Sequence, residues 1–199
     1  MSSSTVVLDE DGMRRTLVRI AHEIVEKNPP DPGTAPGTPG SDHGSSFAIV
    51  GIHRRGAILA QRIHALTSEL VERSVPLGFA DISFHRDDLG RRPSAPVVHA
   101  TQLDFPVEGR TIVIVDDVLY TGRTVRSAID EIFDYGRPAR VQLAVLIDRG
   151  HRELPIRPDY VGKNLPTAHD QRVNVCVGEI DGVEEVTIAP APAPERRAA

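Results

Sequence analysis

Two adjacent carboxylates and a group of hydrogen-bond donors lie close together near the middle of the chain. Asp116 and Asp117 follow the apolar run 112–115, and the segment 121–124 after them carries two hydroxyls, a glycine and a guanidinium. Hydroxyls and backbone N–H groups at a helix N-terminus favour an anion. Carboxylates beside such a site suit ribose hydroxyls or a magnesium ion carried by the ligand. The stretch therefore predicts a site for a phosphorylated sugar.

Two other phosphate-binding patterns do not occur in the sequence. There is no G-x-x-x-x-G-K-[ST] loop, and no G-x-G-x-x-G follows a strand. A Walker-type nucleotide site and a dinucleotide fingerprint are thereby excluded. The plain alternative is an ordinary strand, turn and helix with incidental carboxylates, which explains less well why so many polar donors crowd one short loop.

A second basic loop comes earlier in the chain. The apolar run 47–52 leads directly into His53, Arg54, Arg55 and Gly56. Two arginines and a glycine between a strand and a helix predict another anion site. Taken alone, the same residues equally describe an exposed basic loop. A ligand with phosphates at both ends needs two such loops.

Strands and helices alternate through the central part of the chain. Buried strands are predicted at 47–52, 112–115 and 141–147, and a loosely alternating strand at 76–84. Amphipathic helices are predicted at 9–27, capped by Asp9, in the segment after Gly56 with an apolar stripe of Ile58, Leu59, Ile63, Leu66 and Leu70, and at 125–135. This order predicts an α/β fold with a mainly parallel central sheet flanked by helices.

Composition divides the chain into one domain and two poorly ordered segments. Residues 1–188 are expected to form a single domain, of which 150–188 contributes a small C-terminal hood. The segment 28–46, rich in proline and glycine, is expected to be a mobile surface loop, and 189–199 a disordered tail. The basic segment 90–101 is expected to be a flexible loop that closes over the substrate.

Charge, hydropathy and cysteine content favour a globular protein of the cytoplasm. No apolar run reaches membrane-spanning length, and the N-terminus has no signal pattern, so no membrane partner is expected. The single cysteine, Cys176, excludes an internal disulfide and fits a reducing compartment. The net charge of −5 argues against wholesale coating by nucleic acid, although a local basic face is compatible with it.

The strand, acidic pair and Thr-Gly-x-Thr loop resemble the 5-phosphoribosyl-1-diphosphate (PRPP) motif of type I phosphoribosyltransferases. Within that superfamily the chain resembles PyrR-type proteins, which are bifunctional pyrimidine operon attenuators with uracil phosphoribosyltransferase activity. The segments that carry the resemblance are RRTLVRIAHEIVEKN at 14–28, GIHRRGAILAQRI at 51–63, DISFHRDDLG at 81–90, VDDVLYTGRTVRSAID at 115–130 and LIDRGHRELPIRPDYVGKNLPT at 146–167. The last is the most distinctive, and the matches together span about 6 to 188.

The resemblance implies a type I phosphoribosyltransferase fold with a hood, and the conversion of uracil and PRPP to UMP and diphosphate with Mg²⁺. It implies that Asp116 and Asp117 hold the ribose hydroxyls, are the candidate ligands of the magnesium ion carried by PRPP, and act in catalysis with Arg55. Arg54 and Arg55 would hold the diphosphate, with a non-proline cis peptide bond near them, while Arg149 and the backbone around Val173 would line the base pocket. Thr121, Gly122, Arg123 and Thr124 would hold the 5′-phosphate, and Val118, Leu119 and Tyr120 before them would be further substrate contacts.

Two positions depart from the patterns of related enzymes. Tyr120 stands where several purine phosphoribosyltransferases carry an aspartate that is a candidate base, so no side chain is assigned as general base. His85 stands where the family more often has an aromatic hydroxyl.

The resemblance also implies UMP-dependent binding to the mRNA leader of the pyrimidine operon, and a homodimer or homotetramer. RNA recognition needs a basic surface with polar side chains for loop bases. The candidates are Arg15, Arg19, His22, His151, Arg152 and Lys163. The alternative is that these residues pair with carboxylates such as Glu23, which would leave a salvage enzyme alone. A nucleotide-sensing regulator with negligible catalysis is a third reading.

Overall fold

The structure is a computed structural model, and it describes residues 4–29, 47–82 and 100–191. Its helices are α1 (Glu10–Lys27), α2 (Arg55–Leu70), α3 (Arg123–Phe133) and α4 (Gly178–Asp181). Its strands are β1 (Thr5–Leu8), β2 (Phe47–Ile52), β3 (Leu77–Ala80), β4 (Thr111–Leu119), β5 (Arg140–Asp148), β6 (Tyr160–Asn164), β7 (Gln171–Cys176) and β8 (Glu185–Pro190). Among these residues, no helix combines the length and the apolar character needed to cross a membrane.

A five-stranded sheet of order β3-β2-β4-β5-β6 forms the centre of the fold, and all its pairings are parallel. Helices cover both faces, so the predicted α/β class with a parallel sheet is confirmed. Ile49, Val113 and Val115 pack on the side of α1 and α2. Ala48 and Ile114 pack on the opposite side with α3. Because both faces are buried, the central strands are continuously apolar instead of alternating.

Helix α1 begins as predicted from its capping residue. Asp9 is the N-cap, and its Oδ1 accepts a hydrogen bond from the Gly12 N–H at 2.8 Å. Met13, Leu17, Ile20 and related positions are buried against the sheet. The predicted helix and its apolar face are therefore confirmed.

The buried face of α2 differs from the predicted stripe. Leu70 is 40% exposed, whereas Ala57, Leu59, Ala60 and Ile63 are buried. Gly51 explains the difference, because a Cβ atom there would lie 2.7 Å from the Cα of Ala57 and from the Cβ of Ala60. The helix lies so close to β2 that small side chains must face the sheet.

Strand β4 runs further than the apolar pattern indicates. The sequence places Asp116 and Asp117 just after the strand, but both are within β4, which continues to Leu119. Beyond Val115 the strand no longer pairs with β2, yet β5 still pairs with it at Asp116 and at 118–119. The charged residues therefore remain in extended backbone because one neighbouring strand continues beside them.

The C-terminal segment divides between two sheets. Residues 150–188 are predicted to contribute the hood, but Tyr160–Asn164 extends the main sheet as β6, pairing with β5. Strands β7 and β8 form a separate antiparallel sheet of order β1-β8-β7, which takes its outer strand from the N-terminus. Strand β1 is missing from the sequence-based prediction because four residues carry too short a pattern.

Both predicted irregular segments begin with ordered residues. Asn28 caps α1 and is buried, with its Nδ2 donating to Gln142 Oε1 at 2.9 Å. Ala189 and Pro190 belong to β8. The predictions of a loop from 28 and a tail from 189 are therefore wrong at these residues. Residues 30–46 and 192–199 of these segments, the strand end at 83–84, most of the DISFHRDDLG segment with His85, and 90–99 of the closing loop lie outside the described residues.

Candidate active site

Three parallel strands end at one edge of the main sheet and bring the predicted site residues together. Strand β2 ends at Ile52 and leads into His53 and the two arginines, while β4 leads into the loop before α3. Strand β5 ends at Asp148, which is in register with Leu119 of β4, and Arg149 follows. Ligands of open α/β sheets bind at such an edge.

The two carboxylates are held by the backbone that follows them. Asp116 is 6% exposed, and its Oδ1 accepts the N–H of Asp117 at 2.9 Å. Asp117 repeats this contact, with Oδ1 accepting the N–H of Val118 at 2.8 Å. These contacts orient both carboxylates at the point where β4 leaves β2.

A left-handed glycine opens the helix that follows. Gly122 is the N-cap of α3 with φ of +93°, and its carbonyl accepts the first helical N–H, from Arg126, at 3.0 Å. The N–H groups at the start of the helix, before that of Arg126, have no intrahelical partner. Thr121 and Thr124 lie beside them and are partly exposed. The helix N-terminus and these hydroxyls can therefore bind an anion.

The segment after β5 forms hydrogen bonds that support this loop. The carbonyl of Thr121 accepts the N–H groups of Glu153 and Leu154 at 3.0 and 3.1 Å. Arg152 lies beneath the same loop, where Nη1 donates to the carbonyl of Tyr120 at 2.8 Å and Nη2 to Asp148 at 2.6 Å. The shape of the anion-binding loop therefore depends on residues some 30 positions further along the chain.

The basic loop after β2 lies against the carboxylates. A non-proline cis peptide bond joins His53 and Arg54, which confirms the cis peptide bond expected near Arg54 and Arg55. A Cβ atom at Gly56 would lie 2.7 Å from the carbonyl oxygen of Val115 and 3.1 Å from the Cα of Asp116. Only glycine allows this approach, which brings the arginine loop and the acidic pair together.

Arg55 is held by a residue that the sequence analysis does not identify. Its Nε and Nη2 donate to the two carboxylate oxygens of Asp181 in α4, at 3.1 and 2.7 Å. This contact raises the pKa of Arg55 and lowers the pKa of Asp181. The charge of Asp117 also raises the pKa of Arg55. No motif signals this pair, because 126 residues separate its members.

A cavity of about 320 Å³ lies beside the end of β5. Arg149 borders it, is buried, and donates to Thr167 Oγ1 at 3.1 Å and to the carbonyl of Gln171 at 2.8 Å. Its guanidinium carbon lies 4.2 Å from the centre of the Tyr120 ring. Val173 is buried on β7 and is absent from the cavity lining. That lining consists of Asp148, Arg149, Gly150, His151, Asn164, Pro166 and Thr167.

The basic residues proposed for RNA binding fall into two places. Arg19 of α1 lies against β6, donating to the carbonyls of Val161 and Gly162 at 2.9 and 2.7 Å, and it pairs with Glu23. Lys163 is exposed on β6 and donates to the carbonyl of Val7 at 3.2 Å. Arg15 and His22 are exposed on α1. The structure thus brings α1 and Lys163 to one surface.

His151 and Arg152 follow β5 at the edge of the main sheet where the site residues meet. His151 has φ of +59°, and its Nε2 donates to the carbonyl of Thr167 at 2.6 Å. Its Nδ1 lies 3.1 Å from Nε2 of His169. Arg152 is half-buried with its guanidinium turned to the chain itself, so it is poorly placed to contact RNA.

Comparisons with known proteins agree with this geometry. Residues 18–178 match the family model described as "Phosphoribosyl transferase domain". The "Bifunctional protein PyrR" of Roseiflexus sp. (strain RS-1) is 56% identical over 176 residues, which cover 88% of this chain and 89% of the relative. That of Pelotomaculum thermopropionicum is 52% identical over 182 residues, covering 92% and 93%.

Solved structures share the fold at low identity. A hypoxanthine phosphoribosyltransferase from Trypanosoma cruzi superposes with a TM-score of 0.68 at 18% identity, over 96% of each chain. One from Staphylococcus aureus gives a TM-score of 0.60 at 17% identity, over 96% of this chain and 93% of that one. At this identity the likeness establishes the fold, and the substrate has to be argued from the site.

Proposed function

This chain belongs to the PyrR family of phosphoribosyltransferases, and from that premise we propose that it converts uracil and PRPP to UMP and diphosphate. The observation that carries the proposal is the placement of two anion-binding loops on either side of Asp116 and Asp117. Such an arrangement suits a ribose with a phosphate at one end and a diphosphate at the other.

In the proposed complex, the N-terminus of α3 binds the 5′-phosphate through the segment 121–124. Asp116 and Asp117 accept hydrogen bonds from the ribose hydroxyls. Arg54 and Arg55 bind the diphosphate, where they stabilise the negative charge that grows as the bond from C1 of the ribose to the diphosphate oxygen breaks. The base nitrogen then bonds to C1 and its proton leaves; we assign no side chain as the general base.

Magnesium fits the donors present at this edge. Hard divalent cations prefer carboxylate oxygens, and Asp116 and Asp117 supply them beside the loop proposed for the diphosphate. When bound with PRPP, the ion would neutralise charge on the leaving group. Asp116 and Asp117 would orient the ribose and hold PRPP and its magnesium ion next to the arginine loop.

The cavity beside β5 is proposed as the uracil site. Arg149 supplies a buried cation next to Tyr120, and the exposed Asn164 side chain offers an amide in the lining of the same cavity. The backbone near Val173 is a second proposed contact for the base. It lies close to Arg149 along β7, because Arg149 donates a hydrogen bond to the carbonyl of Gln171. Hydrogen bonds to the edge of the base would favour uracil over a base that lacks its pattern of carbonyl and N–H groups.

We also propose that UMP strengthens binding of the chain to the pyrimidine operon mRNA leader, because its relatives carry the name bifunctional. The exposed residues Arg15, His22 and Lys163 are the favoured RNA contacts. An acidic depression lined by Glu23, Glu26 and Asp159 limits this surface at the C-terminal end of α1. The alternative is a salvage enzyme without the RNA function.

The test combines two assays on one preparation. UMP formation from uracil and PRPP should require Mg²⁺ and should fall at least a hundredfold in Asp117→Asn. In gel-shift titrations UMP should tighten binding to the leader RNA, and Arg15→Gln and Lys163→Gln should weaken it. Arg126→Gln, on the exposed side of α3, is the matched control.

Each outcome separates the two activities. UMP synthesis without UMP-dependent RNA binding would leave the salvage enzyme. RNA binding without UMP synthesis would favour the nucleotide-sensing regulator. Light scattering of the same preparation tests the expected homodimer or homotetramer.

A further inference from the structure

The connection between β7 and β8 is held by ion pairs to α2, the helix that follows the arginine loop. We name residues 177–184 the hood segment; it contains α4 and precedes β8. Among the described residues, three ion pairs join this segment to α2: Asp181 binds Arg55, while Glu179 and Glu184 bind Arg62. Every acid is on the hood segment and every base on α2, so the contact is complementary in charge.

Asp181 is fixed in its own segment before it meets Arg55. Its Oδ2 accepts the N–H of Val177 at 2.9 Å, and its own N–H donates to the carbonyl of Val177 at 2.8 Å. Val177 is fully buried in the core below the hood. The carboxylate therefore has a defined position that does not depend on the arginine.

The contact made by Asp181 constrains the whole guanidinium plane. Two parallel N–H···O bonds define its orientation, as a single contact to one oxygen would not. Arg55 is still 37% exposed, and it lies within the electrostatic reach of Asp117. The side chain is thus held on one side while part of it remains accessible at the sheet edge.

We infer that Asp181 is a positioning residue that holds Arg55 ready to bind the diphosphate of PRPP, an inference that rests on the proposed function. An arginine without this partner would lose rotamer freedom on binding, a loss estimated at about 0.5–1.5 kcal/mol for one long side chain. Prior orientation by Asp181 removes most of that loss. The hood segment thereby forms part of the diphosphate site without touching the ligand.

The test is Asp181→Asn, which keeps the shape of the side chain and removes its charge. Calorimetry should show the Kd of Mg-diphosphate raised between about threefold and tenfold. The KM for PRPP should rise in parallel, with the Kd of UMP unchanged because UMP carries no diphosphate and its phosphate is proposed to bind at the N-terminus of α3. A purely structural role would instead weaken both ligands together and lower the melting temperature to match.

Three further variants test this interpretation. Glu179→Gln breaks an outer contact of the same segment and should leave diphosphate binding unaltered. In an Arg55→Lys background, Asp181→Asn should have little further effect, since the paired geometry is already gone. Asp181→Glu retains the charge and should recover part of the affinity, which keeps the test open if the asparagine variant folds poorly.

Tighter diphosphate binding in Asp181→Asn would overturn the inference, because it would make Asp181 a competitor for the arginine. Unchanged binding would overturn it as well. If the unaltered protein did not synthesise UMP, the proposed function would be refuted instead. Diphosphate calorimetry would still measure the part played by Asp181 in that case.

Discussion

The hydrogen-bond partners of Arg152 favour a role in supporting a loop over a role in contacting RNA. In the sequence it belongs to a basic run, which suggests contact with RNA. In the structure its guanidinium donates to the carbonyls of Tyr120, Gly150 and Ile156 and pairs with Asp148. A cation that binds several carbonyls of the chain stabilises a loop, here the loop proposed for the 5′-phosphate.

We therefore expect Arg152→Gln to weaken UMP binding about tenfold or more, since hydrogen bonds to charged groups contribute about 1.5–3 kcal/mol each. Mg-diphosphate binding, which uses the other loop, should be unchanged in the same calorimetric series. Arg126→Gln serves as the control, because its exposed pair with Asp130 touches neither loop. Normal UMP affinity together with lost RNA binding would return Arg152 to the RNA surface.

Tyr160 offers a prediction about pH. Its hydroxyl donates to Gln142 Oε1 at 2.9 Å and accepts from Asn28 at 3.1 Å, which joins the end of α1 to β5 and β6. Burial raises the pKa of Tyr160 to about 12, against about 10 for an unfolded tyrosine. The folded state therefore keeps its proton longer than the unfolded state does.

The free energy of unfolding should fall as pH rises from about 10 to about 12, because the contribution of a group with a raised pKa is complete only below its unfolded value. Urea unfolding at intervals from pH 9 to 12 measures this slope. Tyr160→Phe has no phenol to ionise, so the difference between the two proteins isolates the tyrosine. Equal slopes in both would contradict the assignment.

At the level of elements, the contact of α2 with β4 determines how the site is assembled. Gly56 lets the first turn of α2 touch the backbone at Val115 and Asp116, which lie just where β4 separates from β2. The arginine loop and the acidic pair come from strands that are neighbours in the sheet but far apart in sequence. Their distance depends on this one missing side chain.

Gly56→Ala should lower the free energy of unfolding by about 1–3 kcal/mol, the usual range for overpacking. It should also reduce UMP synthesis more than stability alone explains, because backbone atoms must move beside Asp116. Chemical denaturation and kcat/KM measure the two effects. Gly178→Ala is the control, since an added Cβ there would meet only Glu184, at 3.6 Å. Comparable losses in both variants would show that the close approach is unimportant.

At the scale of the whole molecule, the two sheets are joined by packing and by charge. Val173, Val175, Val177 and Val186 of the second sheet share one apolar core with α1 and the main sheet. Arg62 adds contacts to Glu179, at 2.7 and 3.0 Å, and to Glu184. These contacts attach the hood segment to α2 at residues that do not belong to the apolar core.

Arg62→Gln should therefore lower the free energy of unfolding by about 1–3 kcal/mol, because it leaves Glu184, only 16% exposed, without its partner. Amide hydrogen exchange should rise at 177–184 and stay constant in α3. Arg126→Gln, whose pair is 69% and 62% exposed, should change stability by at most about 0.5 kcal/mol. If exchange in the hood segment stayed unchanged, the apolar core alone would hold it.

The sequence by itself determined the α/β class, the central strands, the capped first helix and the two loops proposed to bind anions. These features are encoded locally, by apolar runs, by Asp9 before a helix and by glycine or arginine at a strand end. Local patterns suffice there because backbone geometry and a few neighbouring residues decide the outcome.

Tertiary structure alone decided the length of β4, the inclusion of β6 in the main sheet and the partners of Arg55 and Arg152. Asp116 and Asp117 remain in a strand because β5 continues beside them, and no property of the two residues predicts this. The pairing of Arg55 with Asp181 joins positions 126 residues apart. Charge in the sequence shows that a cation is present, but the folded backbone determines whether it meets a ligand, a carboxylate or a carbonyl.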